Sequence, residues 1–249
     1  MIDIHTHIIP GIDDGSSDMM TSLSMAELAA ENGTDAIIAT PHCNQPGLYE
    51  NYASEELSER FEELKREIRL AEIPIELYLG SEVYGTPEVP ELYSQGRLPT
   101  LNGSRYLLIE FDFYAGAVFM QNVLYKLMDA GAVPILAHPE RYYALQLQPD
   151  TAMAWHDDGV GIQINKGSLF GRFGGGAASL SRTLLRYGSV SLVASDAHGA
   201  NVRTPDMTDA FGFISANYSE VLAELLLSEN PTRILENRRL LRADVSQMY

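Results

Sequence analysis

The chain opens with the stretch IDIHTHIIPGIDDG at residues 2–15. Its start is typical of a β-strand, on which side chains alternate between two faces, so His5 and His7 point the same way, as two imidazoles that bind one divalent ion must. The turn that follows brings Asp14 back toward them. Two histidines on a strand are also ordinary polar-face residues, so this stretch alone leaves a metal site and a polar strand face equally open. The rest of the chain decides between them.

Composition limits the class of protein. A chain of 249 residues can bury a sizeable core, and because no linker or charge run divides it, we expect one domain over residues 1–249. The formal net charge of -17 argues against a surface that binds nucleic acid or an anionic membrane. The single cysteine allows no intrachain disulfide, and we find neither a signal-peptide pattern nor an apolar run of about 18 residues. The sequence therefore predicts a cytoplasmic protein without membrane insertion and leaves its oligomeric state open.

Seven apolar, β-rich runs alternate with helix-like stretches. The runs cover residues 2–5, 35–40, 75–81, 106–109, 133–137, 161–164 and 190–195, and the polar residues at or just after their ends are His5, His42, Glu82, Glu110, His138, Asn165 and Asp196. Helices are predicted over residues 17–32, 55–71, 117–130 and 218–236. Gly33 is the expected C-cap of the first helix. The expected core-facing residues of the second helix are Leu57, Phe61, Leu64 and Ile68.

This order of elements predicts an α/β fold, a parallel barrel of seven βα-like units. Such a barrel gathers residues from the carboxyl ends of its strands onto one rim. An open doubly wound sheet also alternates strands and helices, but its ligand crevice lies at one switch point, where residues from nearly every strand would not converge. The pattern therefore favours the barrel.

The candidate metal ligands are too many for one ion and suit two or three. They are His5, His7, Asp14, His42, Glu82, Glu110, His138, Asp196 and His198. Imidazoles mixed with carboxylates, without thiolates, suit manganese, iron or zinc. Two such ions about 3.5 to 4 Å apart activate water and stabilise the oxygens of an in-line displacement at phosphorus. The remaining histidine, His156, is predicted at the surface of a helix-like stretch.

Two arginines narrow the substrate class. Arg141 follows His138 by three residues and Arg203 follows His198 by five, so each is expected on a loop that leaves a metal-bearing strand. A guanidinium there can bind phosphate oxygens in a bidentate manner. Either arginine alone is equally well explained by a surface salt bridge, but the two together beside a metal cluster favour an anion site.

Short motifs are spread over nearly the whole chain. They read HTH at 5–7, DDG at 13–15, GSEVY at 80–84, LPTL at 98–101, SRY at 104–106, IEF at 109–111, AHPERY at 137–142 and ASDAH at 194–198. Together they resemble the motifs of a known family, the bacterial manganese-dependent tyrosine phosphatases of capsular and exopolysaccharide operons, which belong to the polymerase and histidinol phosphatase (PHP) superfamily.

The resemblance implies a distorted seven-stranded (β/α)7 barrel of the PHP type, three metal ions, most simply Mn, and a phosphotyrosine substrate on a partner tyrosine autokinase. We expect hydrolysis by a metal-activated hydroxide, because a bound ion lowers the pKa of its water. The implied ligand sets are His5, His7, Glu82 and Asp196 for one ion, Glu110 and His138 with Glu82 bridging for a second, and Asp14, His42 and His198 for a third. Arg141 and Arg203 match the phosphate-binding arginines of the family, and no general acid is assigned.

Other functions explain the residues less well. A cysteine-dependent tyrosine phosphatase needs Arg six positions after its nucleophile, where Cys43 is followed by Tyr49. An amidohydrolase shares the His-x-His strand but not the full donor set. Histidinol-phosphate phosphatase, or another small-molecule phosphomonoesterase of the superfamily, is the main alternative, and a metal-stabilised binding module without turnover is a weaker one. Residues 43–49 are expected at the mouth of the pocket, and residues 171–176, which lack the Lys of a P-loop, as a flexible connection.

Overall fold

The structure is a computed structural model that describes residues 1–244 of the chain. Within these residues the strands are β1 (Ile2–Thr6), β2 (Ala36–Ala39), β3 (His42–Cys43), β4 (Glu76–Leu79), β5 (Glu82–Tyr84), β6 (Tyr106–Glu110), β7 (Val133–Ala137), β8 (Gly161–Asn165) and β9 (Leu192–Ala194). The α-helices are α1 (Met19–Glu31), α2 (Glu55–Leu70), α3 (Val89–Ser94), α4 (Ala117–Asp129), α5 (Tyr143–Leu147), α6 (Pro149–Asp158), α7 (Lys166–Leu169), α8 (Gly175–Arg186), α9 (Thr208–Asn217), α10 (Glu220–Glu224) and α11 (Asn230–Leu235).

Every strand pair is parallel, as predicted, but the strands form two sheets and not one closed seven-stranded barrel. The first sheet has the order β1-β2-β4, and the second has the order β3-β5-β6-β7-β8-β9. The predicted runs 35–40 and 75–81 contain β2 and β4, and each is followed by a further short strand that was not predicted: Thr40 and Pro41 separate β2 from β3, and Gly80 and Ser81 separate β4 from β5. Pro41 has no backbone N–H to donate to a neighbouring strand, which favours the change of partner after β2.

Backbone hydrogen bonds extend the strand pairing through the two interruptions and join the two sheets beside β1. Gly80 N donates to Ala39 O at 2.8 Å, and Glu82 N donates to Pro41 O at 3.1 Å, so β4 and β5 follow β2 and β3 across the interruption. On the other side of β1, His7 N donates to Ala197 O at 2.9 Å. The carboxyl ends of strands in both sheets are therefore held at one end of the molecule.

Several helices follow the predicted bounds closely. Helix α1 begins later than predicted because Asp18 caps it, its side chain accepting a hydrogen bond from Thr21 N at 2.8 Å, and Gly33 follows the helix with φ +79°, as a C-terminal glycine should. The expected core face of α2 is confirmed, and its buried residues are Leu57, Phe61, Leu64 and Ile68. The predicted helix at 218–236 is divided by a π-helical segment, Leu225–Glu229, between α10 and α11.

Two predictions, the exposure of His156 and the length of the glycine-rich connection, need correction. His156 lies in a helix, α6, as expected, but it is buried and not at the surface, because residues near the C-terminal end of the described chain cover it: Arg242 Nη2 donates to His156 O at 3.1 Å. The glycine-rich connection is shorter than predicted, since Gly175 begins α8. In residues 1–244 we find no helix that is both long and apolar enough to cross a bilayer.

Candidate metal centre

The carboxyl ends of the strands open into a cavity of about 530 Å³. Predicted site residues in its wall are Asp14, His42, Glu82, Glu110, His138, Arg141, Asp196, His198 and Arg203. The other two predicted ligands, His5 and His7, are fully buried and contact Glu82 and Asp196. The structure thus brings together all eleven residues that the sequence singled out.

His5 and His7 lie side by side, as the alternation of a strand requires. Their Nε2 atoms are 3.2 and 3.3 Å from Glu82 Oε2, and 3.5 and 3.6 Å from Asp196 Oδ1. The two Nε2 atoms are themselves 3.2 Å apart. Two imidazole nitrogens therefore face two carboxylates around one small space.

Glu82 is the central carboxylate of the cluster. Its Oε2 also lies 3.2 Å from His42 Nδ1, while its Oε1 lies 2.9 Å from His138 Nε2. Glu110 completes this side, with Oε1 3.0 Å from His42 Nδ1 and Oε2 3.9 Å from His138 Nε2. The two oxygens of Glu82 therefore face different histidines, on two sides of the cluster.

Asp14 is at the open side of the cluster and its side chain is half-exposed. One oxygen, Oδ1, lies 3.3 Å from His42 Nε2 and 3.4 Å from His198 Nε2. His42 therefore stands between two groups of donors, with Nδ1 toward Glu110 and Nε2 toward Asp14. A third donor group is thus present, as the sequence resemblance implied.

The turn after β1 orients His7 through Asp13, the first residue of the DDG motif, for which the sequence predicted no role. Asp13 Oδ2 accepts a hydrogen bond from His7 Nδ1 at 2.8 Å and from His42 N at 3.1 Å. A Cβ on Gly15 would lie 2.2 Å from His7 O, so only glycine lets the turn come this close. The carboxylate fixes the tautomer of His7 and leaves its Nε2 lone pair free for a cation.

Strand β8 supplies no predicted ligand but joins two of them. His5 Nδ1 donates to Gln163 Oε1 at 2.9 Å, Gln163 Nε2 donates to Asn165 Oδ1 at 2.9 Å, and Asn165 Nδ2 donates to Asp196 Oδ2 at 2.5 Å. All four side chains are buried. Because the amide chain pairs with the other atoms of these two side chains, His5 Nε2 and Asp196 Oδ1 remain directed toward the space that they share with His7 and Glu82.

Three site residues have left-handed backbones that residues other than glycine rarely adopt. The φ angles are +36° at His138, +52° at Asp196 and +52° at Arg203. Hydrogen bonds hold two of them: Asp196 N donates to His5 O at 3.0 Å, and His198 N donates to Arg203 O at 2.9 Å. Strained backbone of this kind is common where side chains must be aimed at a functional site.

The charge balance keeps the carboxylates ionised. Burial opposes ionisation of Glu82, but the neighbouring charge of His5 and hydrogen bonds from other histidines hold its pKa well below the usual range. Hydrogen bonds from His198 and His42 lower the pKa of Asp14. Burial lowers the pKa of His42, yet hydrogen bonds to the carboxylates outweigh it and raise that pKa to about 12. The carboxylates thus attract positive charge strongly.

The donors fit divalent metal ions. His42 Nδ1 and Glu110 Oε1 are buried and 3.0 Å apart, but neither forms a well-aligned hydrogen bond with a described residue, and the same is true of His138 Nδ1. Buried polar atoms are normally paired, so these orphaned donors call for a ligand. Imidazole nitrogens and carboxylate oxygens without thiolates suit manganese, iron or zinc.

Arg141 and Arg203 lie on the loops expected, and both also contact Asp196. Arg203 Nη2 is 2.6 Å from Asp196 Oδ2, and Arg141 Nη1 is 3.5 Å from it. The Arg141 guanidinium is held between two rings, 4.3 Å from the centroid of Phe113 and 4.5 Å from that of Phe173. Stacking on both faces leaves the edge of the guanidinium to bind an anion.

The chain is similar to known proteins over most of its length. A family model described as "Capsular polysaccharide synthesis, CpsB/CapC" matches residues 1–236. The chain belongs to this family. It is 33% identical over 242 residues to the tyrosine-protein phosphatase YwqE of Bacillus subtilis, covering 97% of this chain and 94% of YwqE. It is 31% identical to the tyrosine-protein phosphatase CpsB of Streptococcus agalactiae, covering 95% and 99% of the two chains.

A solved structure has the same fold as this member of the CpsB/CapC family. It comes from work on YwqE from Bacillus subtilis and CpsB from Streptococcus pneumoniae, described as metal-dependent tyrosine phosphatases. The TM-score is 0.90 at 32% identity, with 98% of this chain and 97% of the other covered. The family predicted from the motifs is confirmed.

In this CpsB/CapC protein, sequence reasoning missed the residues that orient the donors. Asn165 was noted at a strand end without a role, and Gln163, two residues before it on the same face, was not noted. A polar pair at alternate positions of a buried strand was the available signal, since such side chains need partners. Residues after His42 do border the cavity mouth as predicted, through Gln45, Pro46 and Leu48.

Proposed function

We propose that this chain hydrolyses phosphotyrosine on a bacterial tyrosine autokinase that regulates capsular or exopolysaccharide synthesis. The tyrosine-phosphatase class predicted from the sequence is that of its full-length relatives, YwqE and CpsB. The observation that carries the proposal is one open cavity that holds a cluster of metal donors together with Arg141 and Arg203. Metal ions and guanidinium groups both stabilise the negative charge of a transferring phosphoryl group.

The proposed metal ligands are the nine predicted residues, for two or three divalent ions, most simply Mn. Three donor groups have ligand atoms within 4.8 Å of one another: His5 with His7 and Asp196; His42 with Glu82 and Glu110; and Asp14 with His7, His42 and His198. Glu82 bridges the first two groups, and His138 joins the second through its contact with Glu82. When bound, the ions supply an activated water and neutralise phosphoryl oxygens.

The arginines are proposed to hold the phosphoryl group. Arg203 Nε is buried without a hydrogen-bond partner among the described residues, so its N–H is available to a phosphoryl oxygen while Nη2 pairs with Asp196. Arg141 offers a second donor edge, fixed by the Phe113 and Phe173 rings. Both guanidinium groups gain strength as negative charge builds on the oxygens in the transition state.

The finer fold is part of this proposal. If β2 with β3 and β4 with β5 are each counted as one interrupted strand, the described strands form seven segments, and hydrogen bonds between β1 and the segment after β9 join the ends. This arrangement supports a distorted (β/α)7 barrel of the PHP type with residues 1–249 as one domain. A cytoplasmic location stays a prediction.

The test compares substrates and metals on one preparation. The metal is removed by chelation, and Mn, Fe or Zn is then added back separately. Activity is measured on a phosphotyrosine peptide and on histidinol phosphate, and we expect Mn to restore it. Substitution His138→Ala should lower metal content and abolish activity, whereas His156→Gln, a change of a buried histidine outside the cavity, should keep both. Preference for histidinol phosphate would support the alternative phosphomonoesterase, and metal-loaded protein inert to both substrates would refute a phosphatase.

A further inference from the structure

A second hollow lies beside the metal centre. Its volume is about 330 Å³, and its lining residues are Phe113, Tyr114, Arg141, Tyr143, Gln146 and Phe173. Phe113 and Arg141 also line the metal cavity, so the two spaces share a wall. The shared wall is the stacked guanidinium described above.

The hollow has exposed aromatic walls. Tyr114 is 84% exposed and Tyr143 is 56% exposed, with ring centroids 6.4 Å apart. Large aromatic side chains are usually at least half covered in a folded protein, so two exposed rings beside an active-site cavity offer apolar surface to a ligand. This pair of tyrosines faces the solvent next to the place where a substrate must arrive.

The backbone holds these walls in place. Tyr143 N donates to Phe113 O at 2.9 Å, which ties helix α5 to the loop after β6. Tyr114 N donates to Asp112 Oδ1 at 2.8 Å, and Gln146 Nε2 donates to Glu140 O at 2.8 Å. A surface ordered before binding loses little conformational entropy when a ligand arrives.

We propose that this hollow is an aromatic subsite, which binds the side chain of an aromatic residue close to the phosphotyrosine in the substrate chain. The proposal rests on the proposed function. An extended peptide advances about 3.5 Å per residue, so the shared wall places the aromatic residue within about three positions of the phosphotyrosine. Rings of Tyr114 and Tyr143 can stack with a planar side chain, and Gln146 at the edge suits the hydroxyl of a tyrosine.

The experiment separates the subsite from the metal centre by choice of substrate. p-Nitrophenyl phosphate reaches only the metal cavity, whereas phosphotyrosine peptides with Tyr, Ala or Glu at each of the three positions on either side also reach the hollow. Turnover and, by calorimetry, peptide affinity are measured for the wild type, for the double variant Tyr114→Ala/Tyr143→Ala, and for Tyr187→Ala. Tyr187 is a comparably exposed tyrosine, 62% accessible, at the end of α8 and outside the lining of either space.

We expect the wild type to favour a peptide with a flanking tyrosine over its alanine counterpart by roughly 3- to 10-fold in kcat/KM and in affinity. The double variant should lose this preference and keep its activity on p-nitrophenyl phosphate, while Tyr187→Ala should behave as the wild type. Absence of the preference in the wild type, its survival in the double variant, or a preference for glutamate would overturn the subsite. Aromatic-dependent binding without turnover of any phosphotyrosine substrate would instead refute the proposed function and leave the subsite standing.

Discussion

Substitution Asn165→Ala tests whether the amide chain on β8 orients the metal ligands. Asn165 is fully buried between Gln163 and Asp196. Its side chain accepts a hydrogen bond from Gln163 and donates one to Asp196. Removing its side chain leaves Gln163 Nε2 without an acceptor and takes one donor from Asp196 Oδ2. Since Gln163 also accepts from His5, both a histidine and a carboxylate of the cluster lose their fixed orientation.

The expected losses follow from these contacts. A buried polar group left without a partner costs about 1 to 3 kcal/mol, so the free energy of unfolding should fall by that amount. Losing a residue that orients metal ligands typically costs about 10- to 100-fold in metal affinity or activity. Asn165→Asp should be worse than Asn165→Ala, because a carboxylate would replace the donor that now faces Asp196.

Asn230 provides the matched control. It is also fully buried, and its side chain bonds to Ser191 O and to the backbone of Leu241, away from the metal cavity. Asn230→Ala should therefore destabilise the fold to a similar degree and leave metal affinity unchanged. Urea unfolding, elemental analysis after controlled dialysis, and kinetics are measured on each variant. If Asn165→Ala loses stability but binds metal as the wild type does, the amide chain is only a packing feature.

Three further predictions use groups that the structure describes. Arg141→Ala should keep its metal and lose roughly 10- to 200-fold in kcat/KM, the value of a charge-assisted hydrogen bond. Arg203→Ala should in addition bind metal less tightly, because the Arg203 side chain pairs with Asp196. Full metal content with wild-type kinetics in both variants would contradict the assigned role of the arginines. Burial raises the pKa of the Cys43 thiol to about 12, so iodoacetamide should leave activity intact, and rapid, substrate-protected inactivation would show otherwise. Burial lowers the pKa of His156 below its ordinary 6.5, so the unfolded chain binds the proton at a higher pH than the folded protein does, and the free energy of unfolding should fall as the pH drops below about 6.5. In urea unfolding, His156→Gln should lose less stability than the wild type over this pH range, and an equal loss would contradict the prediction.

The strand ends could be predicted because they depend on local order. Each apolar run stops at a polar residue, and in a parallel α/β fold the carboxyl ends of strands meet, so His138 and Asp196 come together although a helix or more separates them along the chain. The core face of α2 could be predicted equally well, since its apolar residues recur every three or four positions.

Other features depend on contacts that no local pattern encodes. The bond between His5 and Gln163 joins residues 158 positions apart, and the covering of His156 depends on Arg242, 86 positions away. A polar residue on a buried strand shows that a partner exists but not which one. The aromatic hollow likewise needs α5 to dock on the loop after β6, which the composition of neither segment indicates.

The interruptions after β2 and β4 also determine the position of two central donors. β3 begins at His42, directly after Pro41, and β5 begins at Glu82, directly after Gly80 and Ser81. His42 and Glu82 are register partners in the second sheet, so their side chains leave the same face of adjacent strands and approach to 3.2 Å. A regular strand through Pro41 would have continued in the first sheet beside β1 and β4. The interruption moves both donors into the second sheet, where they meet Glu110 and His138 from β6 and the end of β7.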